Sequence, residues 1–78
     1  MIPEATKSGL ERYASHRIPT GGFLRAVLTN DLVGAVQLAD PDNLAALTEI
    51  VRLCCDTLPG NCWGSKEKVA TYLSHRNL

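Results

Sequence analysis

Two short segments combine the residue types that hold an anion. The first is His16-Arg17-Ile18-Pro19-Thr20-Gly21-Gly22-Phe23, with Arg25 two residues beyond it. A glycine pair leading into a helix leaves backbone N–H groups open and lets a ligand approach the main chain closely. Thr20 adds a hydroxyl, and His16, Arg17 and Arg25 add positive charge. The second is Trp63-Gly64-Ser65-Lys66-Glu67-Lys68, which repeats the logic with a glycine, a hydroxyl at a helix start and two lysines. Trp63, the only tryptophan, and Tyr13 offer faces on which a base can stack. The candidate ligand-binding residues are therefore His16, Arg17, Thr20, Gly21, Gly22, Arg25, Trp63, Gly64, Ser65, Lys66 and Lys68, arranged for the phosphate and base of a nucleotide. Each also has a purely structural role open to it. Gly21-Gly22 can form a turn, Ser65 can cap its own helix, and Trp63 can fill a core that holds few aromatics.

Other chemistry is thinly represented. The phosphate-loop, dinucleotide-binding, zinc-protease and nucleophile-elbow motifs are all missing. His16 and His75 are the only imidazoles available as a general base. Three cysteines are an odd number, Cys54 and Cys55 are adjacent, and no C-x-x-C pair exists. Free thiols without metal or cofactor are expected. The cysteines sit on or beside the most apolar stretch, where a thiolate is disfavoured. No catalytic residue is assigned, and the chain reads as a non-enzyme.

The elements that must position these residues read as four to five short helices, an all-α domain spanning 1–78. Ser8 and Glu11 have the spacing of a capping box, followed by Leu10, Tyr13 and Ala14 on one face. Pro19 and the glycine pair end that helix. A second apolar stripe, Phe23, Leu24, Val27 and Leu28, opens at Gly22 or Phe23. Asn30 suits a helix C-terminus and Asp31 a new N-cap, so a break between 29 and 31 is favoured over one helix through Ala39. In either case Leu32, Val36 and Ala39 extend the apolar stripe. Asp40, Pro41 and Asp42 start a further helix, apolar over most of its circumference from Leu44 to Leu58, with a polar stripe of Glu49, Arg52 and Asp56. The last helix starts at Ser65, with Val69, Tyr72 and Leu73 inward and Arg76 at the edge. No strand pattern is present.

With 78 residues, the chain has room for one small core and none for a large enzyme domain. Eight basic residues balance eight acidic ones, which argues against a dedicated nucleic-acid module. No run of 18 apolar residues and no leader-like N-terminus is present, so no membrane contact and a cytoplasmic location are expected. The all-round apolar 44–58 helix in so short a chain predicts self-association through that helix, as a homo-oligomer.

The string Ile18-Pro19-Thr20-Gly21-Gly22-Phe23-Leu24-Arg25-Ala26-Val27-Leu28-Thr29-Asn30-Asp31-Leu32, together with Ala39-Asp40, Asn43, Ile50-Val51, Cys62-Trp63-Gly64-Ser65 and Lys68-Val69, resembles a family of small proteins encoded by tailed bacteriophages and prophages. The resemblance runs from about Ile2 to Leu73. It implies a non-structural protein acting in the cytoplasm of an infected bacterium, where such proteins often block host defences. Three functions follow for test. One is a sponge that captures a cyclic nucleotide or ADP-ribose-type immune signal without cleaving it. Another is an inhibitor or adaptor that binds a host protein. The third is a helix-turn-helix regulator, which the neutral charge and the lack of a basic recognition helix argue against.

Overall fold

A computed structural model describes residues 1–75, and the edge position expected for Arg76 lies outside them. Among the described residues all regular structure is helical: α1 (Glu4–His16), α2 (Gly22–Leu28), α3 (Leu32–Leu38), α4 (Pro41–Ala45), α5 (Leu47–Thr57) and α6 (Lys66–Ser74). Four to five helices were expected; the sixth arises because the 40–58 stretch is divided at Ala46. Asp40 caps α4 by accepting the Asn43 N–H at 2.8 Å, with Pro41 in the first turn as expected. Ala46, almost fully buried, then closes α4 and starts α5.

α1 begins five residues before the position that Ser8 and Glu11 suggest. Pro3 is its N-cap residue, Glu4 lies in the first turn, and the Lys7 N–H reaches the Pro3 carbonyl. Ser8 is therefore interior, and the capping-box spacing is coincidental there. The helix ends at Arg17, whose φ of 53° is left-handed and whose N–H returns to the Tyr13 carbonyl at 3.0 Å.

The break after α2 is present. Asn30 takes φ 62°, its N–H bonds to Val27, and the Asp31 N–H bonds to Ala26. That pair of bonds is a Schellman closure, for which asparagine is the usual substitute for glycine. Asp31 then caps α3 by accepting the Gly34 N–H at 3.0 Å. A β-carbon on Gly34 would collide with that same carboxylate, so the cap explains the glycine.

The core gathers Leu10 and Tyr13 from α1, Leu24, Val27 and Leu28 from α2, Ala35 from α3, Ile50 and Cys54 from α5, Cys62 from the following loop and Val69 from α6. Phe23, Trp63, Tyr72 and Leu73 are half-buried against it. α3 departs from expectation. Leu32 and Val36, read as extending the apolar stripe of α2, are 70% and 45% exposed, and the core contact of α3 is Ala35. The Asn30–Asp31 turn rotates α3 relative to α2, so the stripe does not continue across it. The polar stripe of α5 faces solvent as expected, and Glu49 takes an ion pair from the Met1 amino group at 3.1 Å.

Candidate functional site

The loop 17–21 and the start of α2 border an open groove of about 360 Å³, lined by Arg12, Thr20, Gly21, Gly22, Leu38, Asp40 and Asn43 among others. Gly22 and Leu38 also line an adjoining groove of about 470 Å³, whose other walls include Arg25, Asp31 and Lys66. A β-carbon on Gly22 would meet Leu38 Cδ1 at 3.4 Å, so the α2 start and the α3 end touch at the junction between the two. Thr20, Gly21, Gly22, Arg25 and Lys66 thus lie along one trough on one face. The residues expected from the two segments converge there in part.

Positive charge in the trough comes from Arg12, Arg25 and Lys66, all exposed. Two acids, Asp31 and Asp40, line the same trough, and each accepts a helix N–H: Asp31 that of Gly34 and Asp40 that of Asn43. Thr6, buried, donates to Asn43 Oδ1 and fixes that wall. Sequence reasoning missed Arg12 and Asn43. The available signal was Gly9, a glycine inside a helix, which allows α1 to approach α2: a β-carbon there would stand 3.1 Å from Leu24 Cδ1.

The remaining expected residues lie elsewhere. Arg17 stacks over Tyr72, 4.5 Å from the ring centroid, and its Nη1 reaches the His75 carbonyl at 3.4 Å, so it ties the end of α1 to α6. His16 is exposed at the end of α1. Gly64 donates its N–H to the Leu28 carbonyl at 2.6 Å. Ser65 caps α6 by accepting the Lys68 N–H at 3.1 Å, and Lys68 Nζ donates to the Gly60 carbonyl at 3.1 Å. In this second segment the groups that would cradle an anion are largely spent on structure, and Lys66 is the one that reaches the trough. Trp63 lines a different groove, about 200 Å³, with Ala26, Val27, Leu32, Ala35, Leu47 and Val51. Tyr13, read as a stacking candidate, is 1% exposed and donates its hydroxyl to the Cys62 carbonyl, so no base can reach it.

All three cysteines are free. Cys54 and Cys62 are buried, and Cys55, expected to be a small buried residue, is exposed. Burial, followed by the neighbouring Cys55 and Cys62, pushes the Cys54 thiol from 9.0 up to about 11. Burial raises Cys62 in the same direction. A thiol held neutral in the fold but ionised in the unfolded chain stabilises the protein below its unfolded value and loses that contribution as pH rises. Unfolding free energy should therefore fall as pH rises between 9 and about 11, with Cys54 contributing to the slope. Denaturant titrations of wild type and Cys54→Ala across that window check this, and the alanine variant should show the shallower slope. At neutral pH, iodoacetamide followed by mass spectrometry should find one rapidly alkylated thiol, Cys55, with Cys54 and Cys62 modified only as the chain unfolds.

No family model, curated protein or solved structure matches the chain.

Proposed function

We propose that the protein is a non-catalytic binding protein that sequesters a small phosphate-bearing ligand of the nucleotide type in the trough between α2, α3 and α6. The observation that carries this reading is the meeting of Gly22, Arg25 and Lys66, from two distant segments, on one groove of about 470 Å³. That volume falls within the range of small-molecule sites. Two exposed cations, Arg25 and Lys66, line that groove and would attract a phosphate, while the one acid there, Asp31, accepts an N–H at the start of α3. The trough is open, so a ligand leaves one side in solvent unless a second protomer covers it. The resemblance to phage-encoded proteins supplies the setting: capture of a cyclic nucleotide or ADP-ribose-type signal in the host cytoplasm, as counter-defence.

Calorimetry with a panel of cyclic di- and trinucleotides and ADP-ribose derivatives tests the proposal. One member should bind, and Arg25→Ala with Lys66→Ala should weaken it at least tenfold, about 1.4 kcal/mol, with the fold intact. Arg52→Ala, on the polar stripe of α5, should leave binding unchanged. Silence across the panel at high micromolar protein would remove the reading.

A second reading has its own support. Leu32 and Val33 are 70% and 66% exposed on α3, a helix without a single charged residue. An apolar face of this kind fits a protein that binds another protein, as an inhibitor or adaptor of a host factor would. Recovery of one dominant host protein on immobilised wild type, and its loss on a Val33→Glu column, would favour this reading.

A further inference from the structure

We infer that the groove of about 360 Å³ beside α1 and α4 seats the base of the captured nucleotide and selects guanine, through the Asp40 carboxylate with the Asn43 amide and the Arg12 guanidinium. This rests on the reading of the trough as a nucleotide site. It narrows the ligand to a guanine-bearing one and sets aside the ADP-ribose type. Charge divides the trough into two ends. The groove of about 470 Å³ holds Arg25 and Lys66 against the single acid Asp31, a net positive charge that suits a phosphate. The adjoining groove sets Arg12 against Asp40 and is neutral. A second phosphate there would meet a carboxylate, whereas an uncharged polar ring meets no such repulsion. Gly22 and Leu38 line both grooves, so one ligand can occupy the two ends together.

The neutral end carries a defined set of hydrogen-bonding groups. Asp40 Oδ1 accepts the Asn43 N–H at 2.8 Å, and among the described residues Asp40 Oδ2 has no partner. An ionised carboxylate is an acceptor only, so that oxygen calls for a donor on the ligand. Asn43 Oδ1 accepts the hydroxyl of buried Thr6, which holds the amide in one orientation and leaves its Nδ2 hydrogens to donate. Arg12 runs back along α1 beside Gly9, which lines the same groove. Its Nη2 stands 4.0 Å from the place of a β-carbon on Gly9. A guanidinium is donor-only. The groove therefore offers one acceptor group beside two donors.

Guanine matches that set. Its Watson–Crick edge carries two adjacent donors, N1–H and the N2 amino group, followed by the O6 acceptor. The carboxylate takes the two donors together, and Asn43 or Arg12 donates to O6. Adenine brings one amino donor, and its N1 lone pair would face the carboxylate, acceptor against acceptor. Cytosine and uracil likewise lack two adjacent donors. Phe23, half-buried, and Leu38 give the groove apolar walls for the faces of the ring. Capping and recognition can coexist at Asp40, because the cap uses one oxygen and leaves the other.

The test is calorimetry of the full-length protein with matched guanine and adenine probes: cyclic diguanylate against cyclic diadenylate, and GMP against AMP. The guanine member of each pair should bind at least about tenfold tighter. Asp40→Asn removes the carboxylate and keeps a side chain that caps a helix equally well. It should bring the paired affinities within about threefold of each other, by loss on the guanine side. Asp40→Ser, a second capping side chain, decides the matter if circular dichroism shows the asparagine variant to be less helical. Equal affinity of wild type for guanine and adenine probes would overturn the inference. So would a guanine preference that both Asp40 variants retain. The phosphate end is scored separately, with the Arg25→Ala, Lys66→Ala double variant and with guanosine, which has no phosphate. Probes that bind without base preference, and are lost from the double variant, leave the trough reading standing and remove the guanine end. Guanosine that binds in preference to adenosine, with cyclic diguanylate held undiminished by the double variant, does the reverse. Silence from every probe at high micromolar protein removes both.

Discussion

Replacement of Tyr13 by alanine is expected to destabilise the fold by about 3–5 kcal/mol, the range for deleting a large buried aromatic. Tyr13 is 1% exposed and is the point at which three elements meet. Its ring lies 5.1 Å from that of Tyr72 on α6, at 48°. Its hydroxyl donates to the carbonyl of Cys62 in the loop before α6. Tyr72 in turn donates to the Ala14 carbonyl and lies beneath the Arg17 guanidinium. Removal of the ring opens a cavity, orphans a buried carbonyl and loosens α1 from α6 together. A small domain has on the order of 5–10 kcal/mol in hand, so Tyr13→Ala should be partly unfolded at 37 °C. Tyr13→Phe separates the contributions. It keeps the ring and loses only the donor, which should cost about 1–2 kcal/mol through the unpaired Cys62 carbonyl. Urea unfolding followed by circular dichroism measures both. Equal losses for the two variants would mean that the hydrogen bond, and not the packing, holds this junction.

Gly64→Ala is expected to cost about 1–3 kcal/mol, because Gly64 sits at φ 108°, a region that side-chain-bearing residues rarely adopt. No atom stands within 4 Å of a β-carbon built there, so the cost is backbone strain and not a clash. The position matters because the Gly64 N–H bonds to the Leu28 carbonyl at 2.6 Å, which fastens the loop before α6 to the end of α2. Relief of the strain would pull that bond apart and shift Lys66, two residues on, relative to Arg25. The substitution should therefore lower both thermal stability and affinity for whichever nucleotide the trough takes. Gly21→Ala is the comparison. Gly21 has φ −68° and open space around its β-carbon, so stability should change little. A Gly64→Ala protein as stable as wild type would show that the loop can rearrange without loss.

These two glycines show how far residue types alone could carry the reading. Both were singled out as places where a ligand approaches the backbone. Gly21 does border the trough, whereas Gly64 is required by a turn and has its N–H committed within the fold. Arg17 and Lys68 were read as anion-binding charge, yet each is drawn to a carbonyl or ring of its own chain. A positive side chain near a helix terminus looks the same in sequence whether its partner is a ligand or the chain's own backbone. The difference lies in where the next element packs.

What the sequence determined by itself is local. Asp31, Asp40 and Ser65 cap the helices they were expected to cap, because each accepts an N–H three residues on and needs nothing beyond its own turn. The break at Asn30 follows from the same short-range chemistry, as does the absence of strand patterning. The tertiary structure decided which faces are covered. The segment Leu32–Leu38 is apolar on nearly every side, so its pattern gives no inward direction. Only the Asn30–Asp31 turn, with α2 and α5 in place, selects Ala35 for the core and leaves Leu32, Val33 and Val36 outside. The division at Ala46 and the meeting of Arg25 with Lys66, 41 positions apart in the chain, are decisions of the same kind. A helix cap depends on atoms a few residues away, whereas a groove depends on elements whose sequence separation carries no record of their distance in space.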